Sequence, residues 1–198
     1  MKEASIVIAG VGGQGSIRAS HIVANAAIEE GLHARVGETF GAAMRGGSVA
    51  SHVRIGEEIY SPLNPKNGAE VILSLEPMEG LRNAVQFLSK DGLFLTNTET
   101  WSPYDVNIGE AEYPSVSSIK ESVKKIGKVK ILDFNATELA QKAGNIRTMN
   151  VVMLGALEST GKLPIDSNTL KETIKANVPK GTEEANMNAF ELGIKAIK

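Results

Sequence analysis

Two glycine-rich segments contain the residue types that could bind a phosphate or another anion. The first, Gly10-Val11-Gly12-Gly13-Gln14-Gly15, has the spacing G-x-G-x-x-G. Glycines allow a tight turn and a close approach of the backbone to a ligand, and the free N–H groups that begin a following helix attract anions. In the second segment, Met44–Ser48, an arginine beside paired glycines could present its guanidinium group to a phosphate or carboxylate. The candidate cofactor-binding residues are Gly10, Gly12, Gly13, Gln14, Gly15, Arg45, Gly46, Gly47 and Ser48.

Each segment also has a structural interpretation that needs no ligand. The glycines of the first segment could serve only the close packing of a helix on a sheet. Arg45 could brace its loop against neighbouring carbonyl groups, and its spacing alone favours this bracing role. A nicotinamide or flavin site is a third alternative, in which Glu38, near the end of the second predicted strand, would bind the ribose hydroxyls. No second mononucleotide-binding half accompanies it.

The residue inventory excludes several kinds of site. The chain has no cysteine, so it cannot form a disulfide, hold an Fe–S cluster through thiolates or use a cysteine nucleophile. His21, His33 and His52 are too scattered to predict a metal site, and no G-x-S-x-G motif marks a serine nucleophile. The sequence therefore identifies no catalytic residue and no metal ligand.

Charge and hydropathy indicate the compartment. The 198 residues carry a formal net charge of -2, which argues against a general nucleic-acid or membrane-surface binder. No apolar run approaches the roughly 20 residues of a membrane helix, and the N-terminal residues lack the apolar segment of a signal peptide. We expect a cytoplasmic protein with neither a membrane nor a nucleic-acid partner.

Strand and helix patterns alternate along the chain and must position the glycine-rich segments. Short apolar runs rich in β-branched residues are typical of strands buried on both faces of a sheet, and turns separate them from amphipathic helices. A further short hairpin is predicted from Val49–Ile55 through Gly56 into Ile59 and Tyr60. The predicted strands are Ala4–Ala9, His33–Thr39, Val49–Ile55, Val71–Leu75, Leu93–Asn97 and Val129–Phe134. The predicted helices are Ser16–Glu30, Glu76–Leu88, Ser117–Ile126, the segment that Asn135 caps and that reaches Lys142, Met149–Thr160, Ser167–Ala176 and Thr182–Lys198.

This order predicts a single α/β domain, a three-layer α/β/α Rossmann-like fold with a mainly parallel sheet and a helical C-terminal third. Thr98 to Ser115 has no regular pattern, and an irregular segment of that length in a small domain is usually functional or an interface. The Met149–Leu157 segment is apolar nearly all round, which indicates either a buried helix or a subunit interface. In the second case the isolated chain would form a homodimer through it.

Several motifs together resemble the γ-type subunit of the 2-oxoacid:ferredoxin oxidoreductases, and within that family the indolepyruvate type. The resemblance covers essentially residues 1–198, as one γ-type domain of the pyruvate/ketoisovalerate oxidoreductases. The stretches that carry it are Gly10–Gly15 (GVGGQG), Arg45–Gly56 (RGGSVASHVRIG), Tyr60–Pro62 (YSP), Glu76-Pro77, Asn97-Thr98, Ala111–Pro114 (AEYP) and Ala143–Asn145 (AGN).

The resemblance implies a subunit of a complex that oxidatively decarboxylates a 2-oxoacid with coenzyme A (CoA), which yields an acyl-CoA, CO2 and reduced ferredoxin. It implies that thiamine diphosphate and Fe–S clusters belong to a large partner subunit, and that this chain is inactive alone. The hypothesis for the site is that Gly12 to Gly15, with Arg45 to Ser48, contact CoA or shape the channel to the thiamine. The alternatives are a γ subunit of a pyruvate, 2-oxoglutarate or 2-oxoisovalerate enzyme, a structural subunit that binds no ligand, and a free-standing NAD- or FAD-dependent enzyme.

Overall fold

The computed structural model describes residues 3–41, 43, 45–102, 106, 108–110 and 112–197. Met44 and Ala111, which belong to two of the predicted motifs, therefore lie outside the described residues. The strands are β1 (Ala4–Val11), β2 (His33–Phe40), β3 (Ser48–Gly56), β4 (Ala69–Ser74), β5 (Leu88–Asn97) and β6 (Lys130–Phe134). The helices are α1 (Ser16–Glu29), α2 (Pro77–Phe87), α3 (Val116–Lys124), α4 (Ala136–Lys142), α5 (Met149–Ser159), α6 (Ser167–Asn177) and α7 (Glu183–Ile197), with a 3-10 turn at Ile146–Thr148.

The six strands form one sheet in the order β2-β3-β1-β4-β5-β6. The pairs β1–β4, β4–β5 and β5–β6 are parallel, whereas β3 is antiparallel to both β1 and β2. Five of the six strands consequently share one direction, and the mainly parallel sheet of the sequence prediction is confirmed.

Alternation along β1 divides the core into two layers, because successive side chains point to opposite faces of a sheet. Ile6 and Ile8 pack into the larger cluster, which includes side chains of α1 and of the C-terminal helices. Val7 packs on the other face, in a cluster with residues of α2 and α3 such as Ala84 and Val123. Both faces are therefore covered by helices, as the three-layer prediction requires.

The predicted hairpin from Val49–Ile55 into Ile59 and Tyr60 is wrong. β3 instead forms its hairpin with the preceding strand β2, and the other edge of β3 pairs with β1 along its whole length. The alternating pattern of β3 is compatible with either neighbour, and the long pairing surfaces of β1 and β2 outweigh a two-residue strand. Tyr60 is 85% exposed and belongs to no strand.

The helix α5 is buried within the chain. All nine residues from Met149 to Leu157 are buried, and α7 covers the helix through a close approach of the two backbones. A Cβ atom added at Gly193 would meet the carbonyl oxygen of Val152 and lie 2.9 Å from the amide nitrogen of Ala156. The buried-helix interpretation is confirmed, and the prediction of a homodimer through this helix is wrong because its apolar face is already covered. No helix in the described part of the chain is both long and apolar enough to cross a membrane.

Candidate functional site

The glycine turn leaves the start of α1 without a side-chain cap. Gly15 is the residue before the helix and has a φ of 87°, and Gly13 has a φ of 111°, so both occupy backbone conformations that favour glycine. The first helical hydrogen bond runs from Ala19 N to Gly15 O. Among the described residues, none accepts a hydrogen bond from the backbone amides of Ser16, Ile17 and Arg18. These amides give the turn the anion-attracting character that the sequence predicted.

Two of the predicted ligand-binding residues also have structural contacts within the turn. The side-chain oxygen Oε1 of Gln14 accepts a hydrogen bond from Val11 N at 2.8 Å, so this amide braces the turn from inside. A Cβ atom added at Gly10 would lie 2.7 Å from that oxygen and 3.0 Å from Leu75 Cβ. Gly10 is therefore required for close packing.

The structure brings the two glycine-rich segments together. Gly12 N donates to Gly47 O at 2.8 Å, and Gly46 N donates to Gly12 O at 3.1 Å. These bonds extend the antiparallel pairing of β1 and β3 beyond Val11 and Ser48. Spacing along the chain could not reveal this pairing, because it depends on the position of β3 beside β1.

A polar cavity of about 640 Å³ opens in front of the glycine turn. Arg18 and Arg147 line it, and within the described residues neither guanidinium group forms an ion pair. Ser16 is only 3% exposed, and its hydroxyl group has no hydrogen-bond partner among the residues that the structure describes. The residues that line this polar cavity are Gly12, Gly13, Gln14, Gly15, Ser16, Ile17, Arg18, His21, Val49, Arg147, Asn150 and Asn177.

An apolar cavity of about 310 Å³ adjoins the polar one on the other side of the turn. The two cavities share Gly13, Gln14 and Arg147. The exposed side chains of Trp101 and Ile146 line the apolar cavity. A molecule with an anionic end and an apolar end could therefore span the turn, with its anionic groups beside Arg147.

Sequence reasoning missed several residues of the polar cavity, among them Ser16, Arg18, Arg147 and Asn150. Asn150 is buried, and its Nδ2 donates to Gly15 O at 3.2 Å, which ties α5 to the turn. A signal existed for Asn150, since it is the polar residue at the start of an otherwise apolar helix. Arg147 carried no signal because its approach to the turn is set by the packing of distant segments. Arg45, by contrast, is exposed and lines neither cavity.

The topology disagrees with a nicotinamide site of the usual kind. In that site the acidic residue ends the parallel strand next to the one that precedes the glycine turn. Here β3 separates β2 from β1, so Glu38 lies two strand spacings away, on the order of 10 Å. Its carboxylate instead contacts His21 Nε2 at 3.0 Å.

Comparison with known proteins agrees with the fold and the motifs. The family model for pyruvate ferredoxin/flavodoxin oxidoreductase matches residues 5–196. The chain is 45% identical, over all of its length and 98% of the relative, to indolepyruvate oxidoreductase subunit IorB of Thermococcus kodakarensis. It is 39% identical to the IorB subunit of Archaeoglobus fulgidus, over 96% of this chain and 92% of that one.

Solved structures share the same architecture. Pyruvate oxidoreductase subunit PORC of Thermotoga maritima superposes with a TM-score of 0.72 at 25% identity, over 98% of this chain and 97% of that one. The 2-oxoglutarate:ferredoxin oxidoreductase of Magnetococcus marinus, solved with 2-oxoglutarate, CoA and succinyl-CoA, gives a TM-score of 0.75 at 22% identity. All of this chain aligns there with 31% of a longer chain.

The fold and the turn define a Rossmann-like α/β domain, and the family match shows that the chain belongs to the pyruvate ferredoxin/flavodoxin oxidoreductase family. Within this family it is a γ-type subunit of a 2-oxoacid:ferredoxin oxidoreductase, as the sequence motifs predicted.

Proposed function

We propose that this chain is the CoA-receiving subunit of an oxidoreductase that acts on an aryl 2-oxoacid such as indolepyruvate. The complete reaction converts the 2-oxoacid, CoA and two oxidised ferredoxins into an acyl-CoA, CO2, a proton and two reduced ferredoxins. The aryl substrate is inferred from the indolepyruvate enzymes among its relatives, at up to 45% identity. The observation that carries the role in CoA binding is the polar cavity. There the helix amides of residues 16–18 and the guanidinium groups of Arg18 and Arg147 have no partner among the described residues.

The cavity suits CoA for chemical reasons. CoA carries several phosphates at one end and a long, less polar arm at the other. The amides at the start of α1 favour a phosphate, and Arg18 and Arg147 can donate charge-assisted hydrogen bonds to further phosphate oxygens. The adjoining apolar cavity offers surface to a less polar part of the molecule.

Fe–S clusters held by thiolates do not fit the residues of this chain, and the family resemblance assigns thiamine diphosphate to the partner. The chain has no cysteine for a cluster, and the described residues contain no group of three histidine, aspartate or glutamate side chains that could hold a metal ion. We therefore assign both cofactors to a larger partner subunit and expect the isolated chain to be inactive. Ferredoxin would accept electrons through that partner.

The CoA assignment is tested by single arginine substitutions in the complex reconstituted with its large subunit. Loss of one charge-assisted hydrogen bond, about 1.5–3 kcal/mol, should raise KM for CoA about 10- to 100-fold in Arg147→Ala and Arg18→Ala. Arg35→Ala is the matched control, because Arg35 is exposed on the edge strand and, among the described residues, its guanidinium forms a hydrogen bond only to Ala34 O. An unchanged KM for CoA in both cavity variants refutes the assignment, and an unchanged value in Arg45→Ala removes only Arg45 from the site.

The substrate assignment needs a separate assay. Ferredoxin reduction by the complex is compared for indolepyruvate, phenylpyruvate, pyruvate, 2-oxoglutarate and 2-oxoisovalerate. We expect the highest kcat/KM with the aryl substrates and no turnover by the chain alone. Preference for an aliphatic substrate would replace the indolepyruvate assignment with one of the related γ-subunit types.

A purely structural role is the second candidate. It would leave the glycine turn filled by side chains, whereas the turn opens onto the polar cavity and exposes unpaired amides. CoA titration of the complex separates the two candidates, since a structural subunit would leave CoA affinity independent of Arg18 and Arg147.

A further inference from the structure

Two carboxylates that line neither the polar nor the apolar cavity are buried at the first turn of α2. Glu76 is 1% exposed and Glu79 is 5% exposed. Burial of an ionised carboxylate is costly unless hydrogen-bond donors surround it. Both have such donors. Some belong to α2 itself, and the others come from the two segments on either side of the glycine turn, at Ser48, Trp101 and Tyr113.

Glu79 holds the segment that contains Arg45. Its Oε2 atom accepts a hydrogen bond from Ser48 Oγ at 2.5 Å, and its Oε1 atom pairs with Arg82 Nη1 at 2.5 Å. Ser48 ends the Arg45–Ser48 segment, whose two glycines bond to Gly12 of the turn. The segment is thus held at the turn by backbone bonds and at α2 by a carboxylate.

Glu76 holds the segment after β5. Besides capping α2 through Glu79 N at 2.9 Å, its carboxylate accepts from the hydroxyl of Tyr113 and from Trp101 N at 3.4 Å. Tyr113 also accepts from Met78 N at 3.2 Å. Burial and the neighbouring Glu76 carboxylate raise the pKa of Tyr113 far above its usual value, so the phenol remains a donor. The indole ring of Trp101, fixed at this backbone contact, is a wall of the apolar cavity.

We infer that Glu76 and Glu79 are positioning residues that set the two segments flanking the glycine turn. Glu79 places Arg45–Ser48 against Gly12, and Glu76 places Trp101 beside the apolar cavity. Three motifs far apart in the sequence, at residues 45–56, 76–77 and 112–114, therefore meet at one turn of α2. The ordering of the segments is independent of any ligand, whereas its effect on CoA rests on the proposed function.

Hydrogen–deuterium exchange of the reconstituted complex tests the ordering directly. Glu79→Gln should increase exchange at residues 45–49 and not at 99–102 or 112–115. Glu76→Gln should increase exchange at residues 99–102 and 112–115, and at the capped amides 78 and 79, but not at 45–49. Ser48→Ala and Tyr113→Phe remove only the partner groups and should reproduce the respective patterns while leaving both carboxylates in place. Glu121→Gln, on the exposed ion pair with Lys124, is the control. Unchanged exchange in both segments, or equal changes in both segments for every variant, overturns the inference.

Steady-state kinetics distinguish positioning from general stability. Loss of one hydrogen bond that shapes the site should raise KM for CoA about 3- to 10-fold in Glu79→Gln and Glu76→Gln. KM for the 2-oxoacid and kcat should stay within about 2-fold, whereas a merely structural role would lower kcat and the unfolding temperature together. If Arg147→Ala leaves KM for CoA unchanged while the exchange patterns appear, the proposed function fails and the positioning stands. If Arg147→Ala raises KM but the exchange patterns are absent, the positioning fails and the proposed function stands.

Discussion

Substitution of Gly15 by alanine should destabilise the chain through two separate effects. The first is backbone strain, since a φ of 87° in the left-handed region costs an alanine about 1–2 kcal/mol. The second is a clash, because the new Cβ atom would lie 2.6 Å from Asn150 Nδ2. Relief of that clash displaces the amide from Gly15 O and removes a hydrogen bond with a net value of about 1 kcal/mol.

The two contributions add up to about 2–3 kcal/mol in the free energy of unfolding. For a domain of this size each kcal/mol lowers Tm by about 2–4 °C, so Gly15→Ala should unfold about 4–12 °C below the unsubstituted chain. Urea denaturation of the purified chain measures the free energy, and calorimetry measures Tm.

Gly13→Ala provides the matched control for the clash. Gly13 also has a positive φ, of 111°, but a Cβ atom there meets nothing within 4 Å. Gly13→Ala should therefore cost only the backbone strain. In an Asn150→Ala background the clash is absent, so Gly15→Ala should lower the free energy of unfolding only by the backbone strain. A double-mutant cycle measures the difference as a coupling of about 1 kcal/mol. Equal costs for the two glycine substitutions, with no coupling to Asn150, would refute the reasoning.

Three further predictions concern the scaffold. Gly193→Ala should lower the free energy of unfolding by about 1–3 kcal/mol, because the new Cβ atom meets the carbonyl of Val152 and pushes α7 away from α5. An unchanged Tm would contradict this prediction. Asn97→Ala should cost about 2–4 kcal/mol in urea denaturation, because the buried Asn97 accepts from Ala136 N at 2.9 Å and that amide would lose its partner. Burial lowers the pKa of His52 from 6.5 in the folded chain. As the pH drops below about 6.5, His52 is therefore protonated in the unfolded chain before it is protonated in the folded chain. The free energy of unfolding consequently falls between pH 6.5 and the folded-state pKa. In His52→Gln this loss should be smaller, by at most about 1.4 kcal/mol per pH unit, and identical pH profiles of unfolding free energy would exclude His52 as its source.

Most elements of the fold were predictable because local patterns specify them. The helix that Asn135 caps is an example, since the side chain of Asn135 accepts from Glu138 N at 2.9 Å and local sequence alone indicates this motif. The pairing of β3 was not predictable in the same way. The alternating pattern of a strand indicates which of its residues face the core, but it does not indicate which strand lies beside it.

The candidate site likewise has one part that local sequence indicates and another that depends on distant segments. Gly10–Gly15 was identifiable because a strand, a glycine turn and a helix follow one another in the chain, and the chemistry of such a turn is local. The neighbours of that turn come from elsewhere: Arg147 precedes α5, and Ser48 reaches Glu79 across 31 residues. Their roles depend on side chains that the sheet order and the C-terminal helices bring together.

By itself the sequence determined the class of fold, the glycine turn, the family and the absence of cysteine ligands. These follow from hydrophobic periodicity, from the conformational freedom of glycine and from residue types that need no neighbour to be recognised. Only the tertiary structure decided that β3 lies between β1 and β2, that Arg18 and Arg147 face the turn, and that α5 is covered. The physical reason is that burial, close backbone approach and the convergence of charges depend on contacts between distant segments, which local sequence does not encode.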